Sequence, residues 1–338
     1  MATRKRRKKK KSKNKRTVAK RRGVRNSRFL VKFIKGIFSV VILSGFLIGL
    51  FLCLENLPFL VSKISSKIGI SGVGDLVLID SSQRKEAEDG SKEALGSQKT
   101  TLTIGLIADS EGDNESLEKA LDGLNDRNVD AVFFLGDLTQ YGSLDLLRAV
   151  KDILNRFELK VLIIPGDHDL AASADDGDLS GRRNFREVFG DNIHLYESGG
   201  HNFMLFDNSP NFSKISEEDL AWFENNLPET DFVILSQPLY HPTNQRVMGM
   251  FDGDVVSTVR AQAEEMLTKI RESNVKAIIA ADQHFFSKNT DPERADLLHI
   301  VVGALISNKG SFRNPQSSRY AILKIYENGN YKVEEIVL

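Results

Sequence analysis

The sequence predicts an α/β domain preceded by one transmembrane helix, and three observations predict it. A 19-residue run at 36–54 carries no charge and is long enough to cross a bilayer. Residues 1–35 hold 18 Lys or Arg and no acidic residue, leaving 28 basic against 46 acidic residues in the remainder. From residue 100 onward, short apolar runs alternate with stretches of helical period, the pattern of successive βαβ units. The net charge of zero therefore averages two unlike parts, and such asymmetry points to two environments.

The run GIFSVVILSGFLIGLFLCL is interrupted only by Ser39, Ser44 and small glycines, so it lacks the polar stripe of a soluble helix. At about 1.5 Å per residue it spans roughly 28 Å, close to the hydrocarbon thickness. A cleaved signal peptide fits less well: the basic region is long, the apolar run exceeds about 15 residues, and no small-x-small site follows Leu54. The charge bias reads as a signal-anchor, with the N-terminus cytoplasmic and the remainder extracytoplasmic, in a single-pass cell membrane protein.

The tail, rich in Lys, Arg, Ser and Asn, reads as disordered, with anionic membrane lipid as its expected partner. Nucleic acid is the less favoured partner, because no aromatic residue interleaves the charges before Phe29. Cys53 is the only cysteine, so no intrachain disulfide forms. Residues 55–99 read as a neck and polar linker, since 81–99 has no sustained apolar face. Residues 100–338 are numerous enough to bury a core of their own.

Within that domain, 101–108 reads as a buried strand. A helix from about Ser116 follows, with Leu117, Ala120, Leu121 and Leu124 on one face. A strand at 131–135, a helix carrying Leu146, Leu147, Val150 and Leu154, and a strand at 161–164 complete a βαβαβ pattern. Apolar residues on both strand faces imply a parallel core, with ligand groups at the C-terminal strand ends. Further strands are expected at 203–206, 232–235, 275–280, 299–302, 320–325 and 331–336, and helices at 217–226 and 257–271. The late strands lack intervening helices, which predicts an antiparallel part.

Four strand ends run into polar clusters: IADSE at 107–111, GDLT at 136–139, GDHD at 166–169 and ADQH at 281–284. Each aspartate taken singly is a turn former or a helix cap. Brought to one sheet edge, Asp109, Asp137, Asp167, Asp282 and His284 would repel one another unless protonated or neutralised by cations. A two-metal centre satisfies that requirement and suits in-line attack on phosphorus.

The order and spacing of these clusters resemble the calcineurin-like metallophosphoesterase family, over roughly residues 100–338. The family pattern runs D-x-H, GD, GNH[DE], a later His near a Pro, and GHxH. The resemblance implies a four-layer αββα sandwich and a phosphoric ester hydrolase. Asp109 matches the first aspartate, with Glu111 at the histidine of D-x-H. Asp137 matches the metal-bridging aspartate. Asp167 stands for the asparagine of GNH[DE], while His168 and Asp169 keep the next two positions. Asp282 replaces the first histidine of GHxH and His284 preserves the last. In VILSQPLYHP, aligning Pro238, Leu239 and Tyr240 puts Ser236 at the ligand position, or Gln237 after a shift of one. His241 lies close by but would need a local detour.

The resemblance thus implies one metal site from Asp109, Glu111, Asp137 and His284, and a second from Asp137, Asp167, Asp282 and Ser236 or Gln237. Oxygen donors have replaced nitrogen, which favours two divalent ions of Mn, Mg or Ca over Zn or Fe. A metal-bound hydroxide would then attack a phosphomonoester or phosphodiester, with His168 as proton donor or phosphoryl ligand and Asp169 orienting its ring. The expected function is a membrane-anchored, extracytoplasmic metal-dependent hydrolase. The alternative is a catalytically inactive metal- or phosphate-ligand-binding protein of the same fold. Asp207 and Asn208 read as a turn or cleft edge, Arg182 and Arg183 as a solvated loop or phosphate contact, and Trp222 and Phe223 as a helix packing face. His194, His201 and His299 lack a local ligand pattern and read as structural.

Overall fold

A computed structural model describes residues 98–338 except 211–212, 252 and 308–316. Strand β1 (Thr100–Ile107) opens the domain and pairs in parallel with β2 (Ala131–Phe134), which pairs in parallel with β3 (Val161–Ile163). On its other side β1 meets β12 (Arg319–Tyr326), itself paired with β13 (Tyr331–Val337); both contacts are antiparallel. This five-stranded sheet has the order β13-β12-β1-β2-β3.

The second sheet has a parallel centre of β5 (His201–Phe206), β6 (Phe232–Leu235), β9 (Ala277–Ala280) and β11 (Leu298–Val301). Antiparallel edge strands β4 (His194–Ser198) and β10 (Ser287–Thr290) close it, in the order β10-β11-β9-β6-β5-β4. A small ribbon, β7 (Met250–Phe251) with β8 (Asp254–Val255), stands apart from both sheets.

Alternation along each strand decides the layering. Leu102, Ile104 and Leu106 of β1 and Ala131 and Phe133 of β2 face Phe203, Leu205, Phe232, Ile234 and Ile279 across the gap between the sheets. The intervening residues face outward. Ile107, Val132 and Phe134 meet α1 (Asn114–Asn125), α2 (Leu144–Leu154) and α4 (Arg183–Phe189), while Met204, Phe206, Val233 and Ile278 meet α5 (Glu217–Asn226) and α6 (Ser257–Arg271). The result is the αββα sandwich. Phe133 is central to the inner layer, edge-on to both Tyr196 and Phe203. Removing so large a buried ring costs about 3–5 kcal/mol.

Helix ends follow local chemistry. Asp113 accepts the Ser116 N–H ahead of α1, and Ser216 accepts the Asp219 N–H ahead of α5, whose first turn is acidic. Each cap satisfies an N–H that the helix leaves without a carbonyl. A further helix, α3 (Asp167–Asp175), begins inside the GDHD cluster rather than after a loop.

One expectation is corrected. Among the described residues no helix is long and apolar enough to cross a membrane. The run 36–54 lies outside the described residues, as do the basic tail at 1–35 and the neck and linker up to residue 97. Among the described residues the fold is the sandwich alone. The single-pass topology, the membrane-lipid partner and the extracytoplasmic location lose the structural support they required.

Candidate metal centre

The four polar clusters meet at one edge of the paired sheets. Hydrogen bonds hold them there: Asp109 N–H donates to Gly136 C=O at 3.0 Å, Glu111 N–H to Asp137 C=O at 2.9 Å, and Asp282 N–H to the Asp109 side-chain Oδ1 at 3.3 Å. The Asp109 carbonyl in turn accepts the Ile306 N–H at 3.0 Å. Two glycines make the approach possible. A Cβ on Gly136 would stand 2.6 Å from Gly166 N, and one on Gly166 would stand 2.0 Å from Asp137 Oδ1.

The backbone is strained where the chemistry lies. Asp109, Glu111, Asp137, Asp282 and His284 all adopt positive φ, between 43° and 67°. Among the described residues only one other non-glycine, Asn128, does so. Such residues cost of order 1–3 kcal/mol each and persist only where the surroundings over-determine them.

Asp137, Asp167 and His168 converge so that one donor atom from each lies within 4.8 Å of the others. The first turn of α3 builds part of this group, the His168 N–H donating to Asp137 Oδ1 and to Asp167 Oδ1, each at 3.1 Å. A helix N-terminus favours negative charge there. Burial, reinforced by the charges of Asp167 and Asp109, pushes the Asp137 carboxyl well above its ordinary range. Burial opposes a proton on His168, but its contact with the Gln140 carbonyl and the neighbouring acids raise its pKa overall.

Glu111 and His284 form the other half. His284 Nε2 lies 3.0 Å from a Glu111 carboxylate oxygen. Burial disfavours the imidazolium, yet the Glu111 bond and the charges of Asp109 and Asp282 outweigh it and lift His284 to about 9. Burial likewise opposes the Glu111 anion, and its bond to His284 overcomes that and lowers its pKa. Asp109 is raised to about 6, chiefly by burial, and Asp282 to about 7 by burial and the charge of Asp167.

Asp109 Oδ2 is buried without a hydrogen-bond partner. An orphaned carboxylate oxygen beside further buried acids is the environment a divalent cation relieves, so these residues fit one.

The remaining expected site residues have other work. Asp169 accepts from Leu138 N–H, Thr139 N–H, Thr139 Oγ1–H and Gly166 N–H, each at 3.0 Å, and so locks the GDLT turn onto α3. It does not hold the His168 ring, whose Nδ1 instead lies 3.1 Å from the Gln140 carbonyl. The Ser236 hydroxyl donates to Asn208 Oδ1 at 3.1 Å, and Gln237 Nε2 donates to the Ser209 carbonyl. His241 Nδ1 accepts the N–H groups of Thr243 and Asn244, a loop role.

Arg182 is spent on Asp207 at 2.5 Å, and Arg183 on Asp176 at 2.8 Å. His299 is buried against Asp291. Phe223 is fully buried beneath sheet two and Trp222 stacks on Phe206, as a packing face requires. Three contributors carried no motif in the sequence: Gln140, which acts through its carbonyl; Asn208, which organises the end of β6; and Arg246, which projects its charge toward Asp282 and Glu111.

The family of calcineurin-like phosphoesterases matches residues 102–286, more than half of the chain. The chain belongs to that family. Its domain has the metallophosphoesterase fold, and its metal-ligand set diverges from the family pattern. It is similar to a protein described as a probable cyclic nucleotide phosphodiesterase from Vesicomyosocius okutanii subsp. Calyptogena okutanii (strain HA), at 28% identity over 132 residues. That match covers 38% of this chain and 52% of the relative, so the chain spans about half the relative's length.

Among solved structures, a dimetal phosphatase from Danio rerio superposes with a TM-score of 0.50 at 17% identity, covering 71% of this chain and 99% of that one. A purple acid phosphatase from yellow lupin (Lupinus luteus) seeds superposes at 0.53 and 12% identity, covering 71% and 52%. At such identity these likenesses establish the shared fold.

Proposed function

We propose that this member of a hydrolase family uses its altered centre to bind one divalent metal ion and, beside it, a phosphate-bearing ligand, with binding rather than turnover as the primary role. The membrane-anchored, extracytoplasmic hydrolase expected from the sequence is set aside. Its anchor has no counterpart among the described residues, and its ligand set is only partly assembled.

One observation carries the reading. Glu111 occupies the position where the family pattern has a histidine, and it is paired with His284 at 3.0 Å. Two groups implied as ligands of one metal are therefore each other's partners, and recruiting them for a metal requires removing a proton from a ring raised to about 9. Asp137, Asp167 and His168 bring one donor atom each within 4.8 Å of the others and remain the convergent set.

When bound, the ion supplies positive charge for phosphate oxygens at the mouth of the centre. Asp137 and Asp167 hold it through hard oxygen donors, which favours Mn²⁺ or Mg²⁺ over softer ions. Asp169 keeps the Asp137 turn in place. His168, fixed through Nδ1 on Gln140, is positioned at the edge of the group to donate a hydrogen bond to a phosphoryl oxygen. With one ion instead of a bridging pair, the clamp on both attacking and leaving oxygens is incomplete, which is the physical reason for expecting little turnover.

The test pairs Mn²⁺ binding with hydrolysis assays on phosphomonoester and phosphodiester substrates, using the full-length chain and Asp137→Asn. Saturable Mn²⁺ binding lost in the variant, with negligible turnover, supports the proposal. Rapid metal-dependent hydrolysis abolished by Asp137→Asn would replace it with an enzymatic reading.

A further inference from the structure

We propose that Arg246 is the phosphate-clamping residue of this centre, its guanidinium supplying from the protein a second positive charge that grips a phosphate group held beside Asp137, Asp167 and His168. The proposal rests on the binding role given above.

Arg246 lies on the segment between β6 and β7, and its backbone is fixed on both sides. Its N–H donates to Asn244 Oδ1 at 2.9 Å, and its carbonyl accepts from Gln283 Nε2 at 2.6 Å. Gln283 is buried between Asp282 and His284 in sequence, so this bond ties the arginine directly to the fourth polar cluster. The next two residues are pinned as well: Val247 N–H donates to the Met250 carbonyl at 3.1 Å and Met248 N–H to the Pro238 carbonyl at 2.8 Å.

The side chain is seated but not consumed. Its guanidinium carbon stands 4.5 Å over the Phe251 ring, while Nε is buried with no hydrogen-bond partner. Two other arginines of the domain each pair with a carboxylate. Arg182 pairs with Asp207 at 2.5 Å, and Arg271 pairs with Asp291 at 3.0 Å. A guanidinium held on an aromatic face with unused donors is pre-organised for a planar, two-oxygen partner such as phosphate. Its positive charge reaches the centre, where it offsets part of the rise that burial gives Asp282 and adds to the lowering of Glu111 set chiefly by His284.

The chemistry also needs such a charge. Extra carboxylates make the centre repellent to phosphate, and one divalent ion leaves that repulsion poorly balanced. A permanently charged arginine restores the balance without a second ion.

The test is calorimetry on the full-length protein, first with Mn²⁺ alone and then with inorganic phosphate added to the Mn²⁺-loaded protein. Wild type is compared with Arg246→Gln, Arg246→Lys and Asp137→Asn, with circular dichroism as the folding control. Arg246→Gln is expected to keep or tighten Mn²⁺ binding, because a nearby positive charge is gone, and to weaken phosphate binding by roughly tenfold or more. Arg246→Lys, which keeps the charge and loses the fork, is expected to fall between them. Phosphate affinity unchanged in Arg246→Gln overturns the proposal. Should that variant not fold, unchanged phosphate affinity in Arg246→Lys overturns it instead.

Failure of the metal reading looks different: wild type takes up no Mn²⁺, or Asp137→Asn binds it equally well. Mn²⁺ uptake without phosphate binding by wild type sinks the clamp and leaves the metal site standing.

Discussion

The two halves of the acid-rich centre use similar residues to opposite ends. Around Asp137, a helix N-terminus and the fully satisfied Asp169 hold Asp167 and His168 in a convergent group. Around Asp109, the histidine that would serve a metal is engaged by Glu111. A single replacement of an imidazole by a carboxylate changes what the neighbouring histidine does: opposite charges close on each other, whereas two neutral rings would both stay open to a cation.

The largest expected effect breaks the open half at its support. Asp169→Ala leaves three backbone N–H groups and the Thr139 hydroxyl without their acceptor in a buried site. A loss of about 3 kcal/mol or more in unfolding free energy is expected from denaturant titration. Next in size, Asp137→Asn removes a ligand while keeping the fold, and Mn²⁺ affinity should drop by more than about 100-fold, since even outer partners of metal ligands cost 10–100-fold. An equal loss in Asp109→Asn would show that the halves are not distinct.

The pH dependence of the metal-free protein sharpens the contrast further. Asp109 and Asp169 are raised to about 6 and Asp282 to about 7, from an ordinary 3.8. Between those limits the folded chain holds more protons than the unfolded one, so stability falls as pH rises through that window. His284, raised from 6.5 to about 9, contributes stability that is complete below 6.5 and lost as pH passes 9. Thermal melts from pH 4.5 to 9 should show declining Tm, with Mn²⁺ restoring it at neutral pH and Asp282→Asn flattening the acid part. A Tm that climbs steadily over this range would contradict the carboxyl assignments. The smallest effect concerns the ring itself: in Glu111→Gln, NMR titration should find the His284 pKa well below 9.

Much of the fold was readable because its signals are local. Strand β6 and helices α5 and α6 lie where the apolar pattern puts them, β1 is shifted by one residue, and β2 is one residue shorter than expected. The two edge strands of the second sheet escaped. Strand β10 is Ser-Lys-Asn-Thr, polar on both faces, and pairs only because β11 offers its backbone; β4 alternates weakly, with Leu195 half exposed. The helix α3 was hidden because GDHD reads equally well as a turn, and its start depends on Asp169 accepting the Gly166 N–H.

In the centre, the strand-end aspartates were legible from type and order. Their left-handed backbone, the closure of Glu111 on His284 and the approach of Arg246 depend on contacts between segments more than 100 residues apart or on loops without a motif. No local pattern encodes them. The membrane-spanning reading rested on residues 36–54 and gains nothing from the described part of the chain.

The count of metal ions separates the two halves most directly. Equilibrium dialysis of the full-length chain against Mn²⁺, with wild type, Asp137→Asn and Glu111→His side by side, reads it. One ion per wild-type chain is predicted, none at the same concentration in Asp137→Asn, and a second in Glu111→His, where the pairing with His284 is gone. Two ions bound with similar affinity to the wild-type chain would contradict the account.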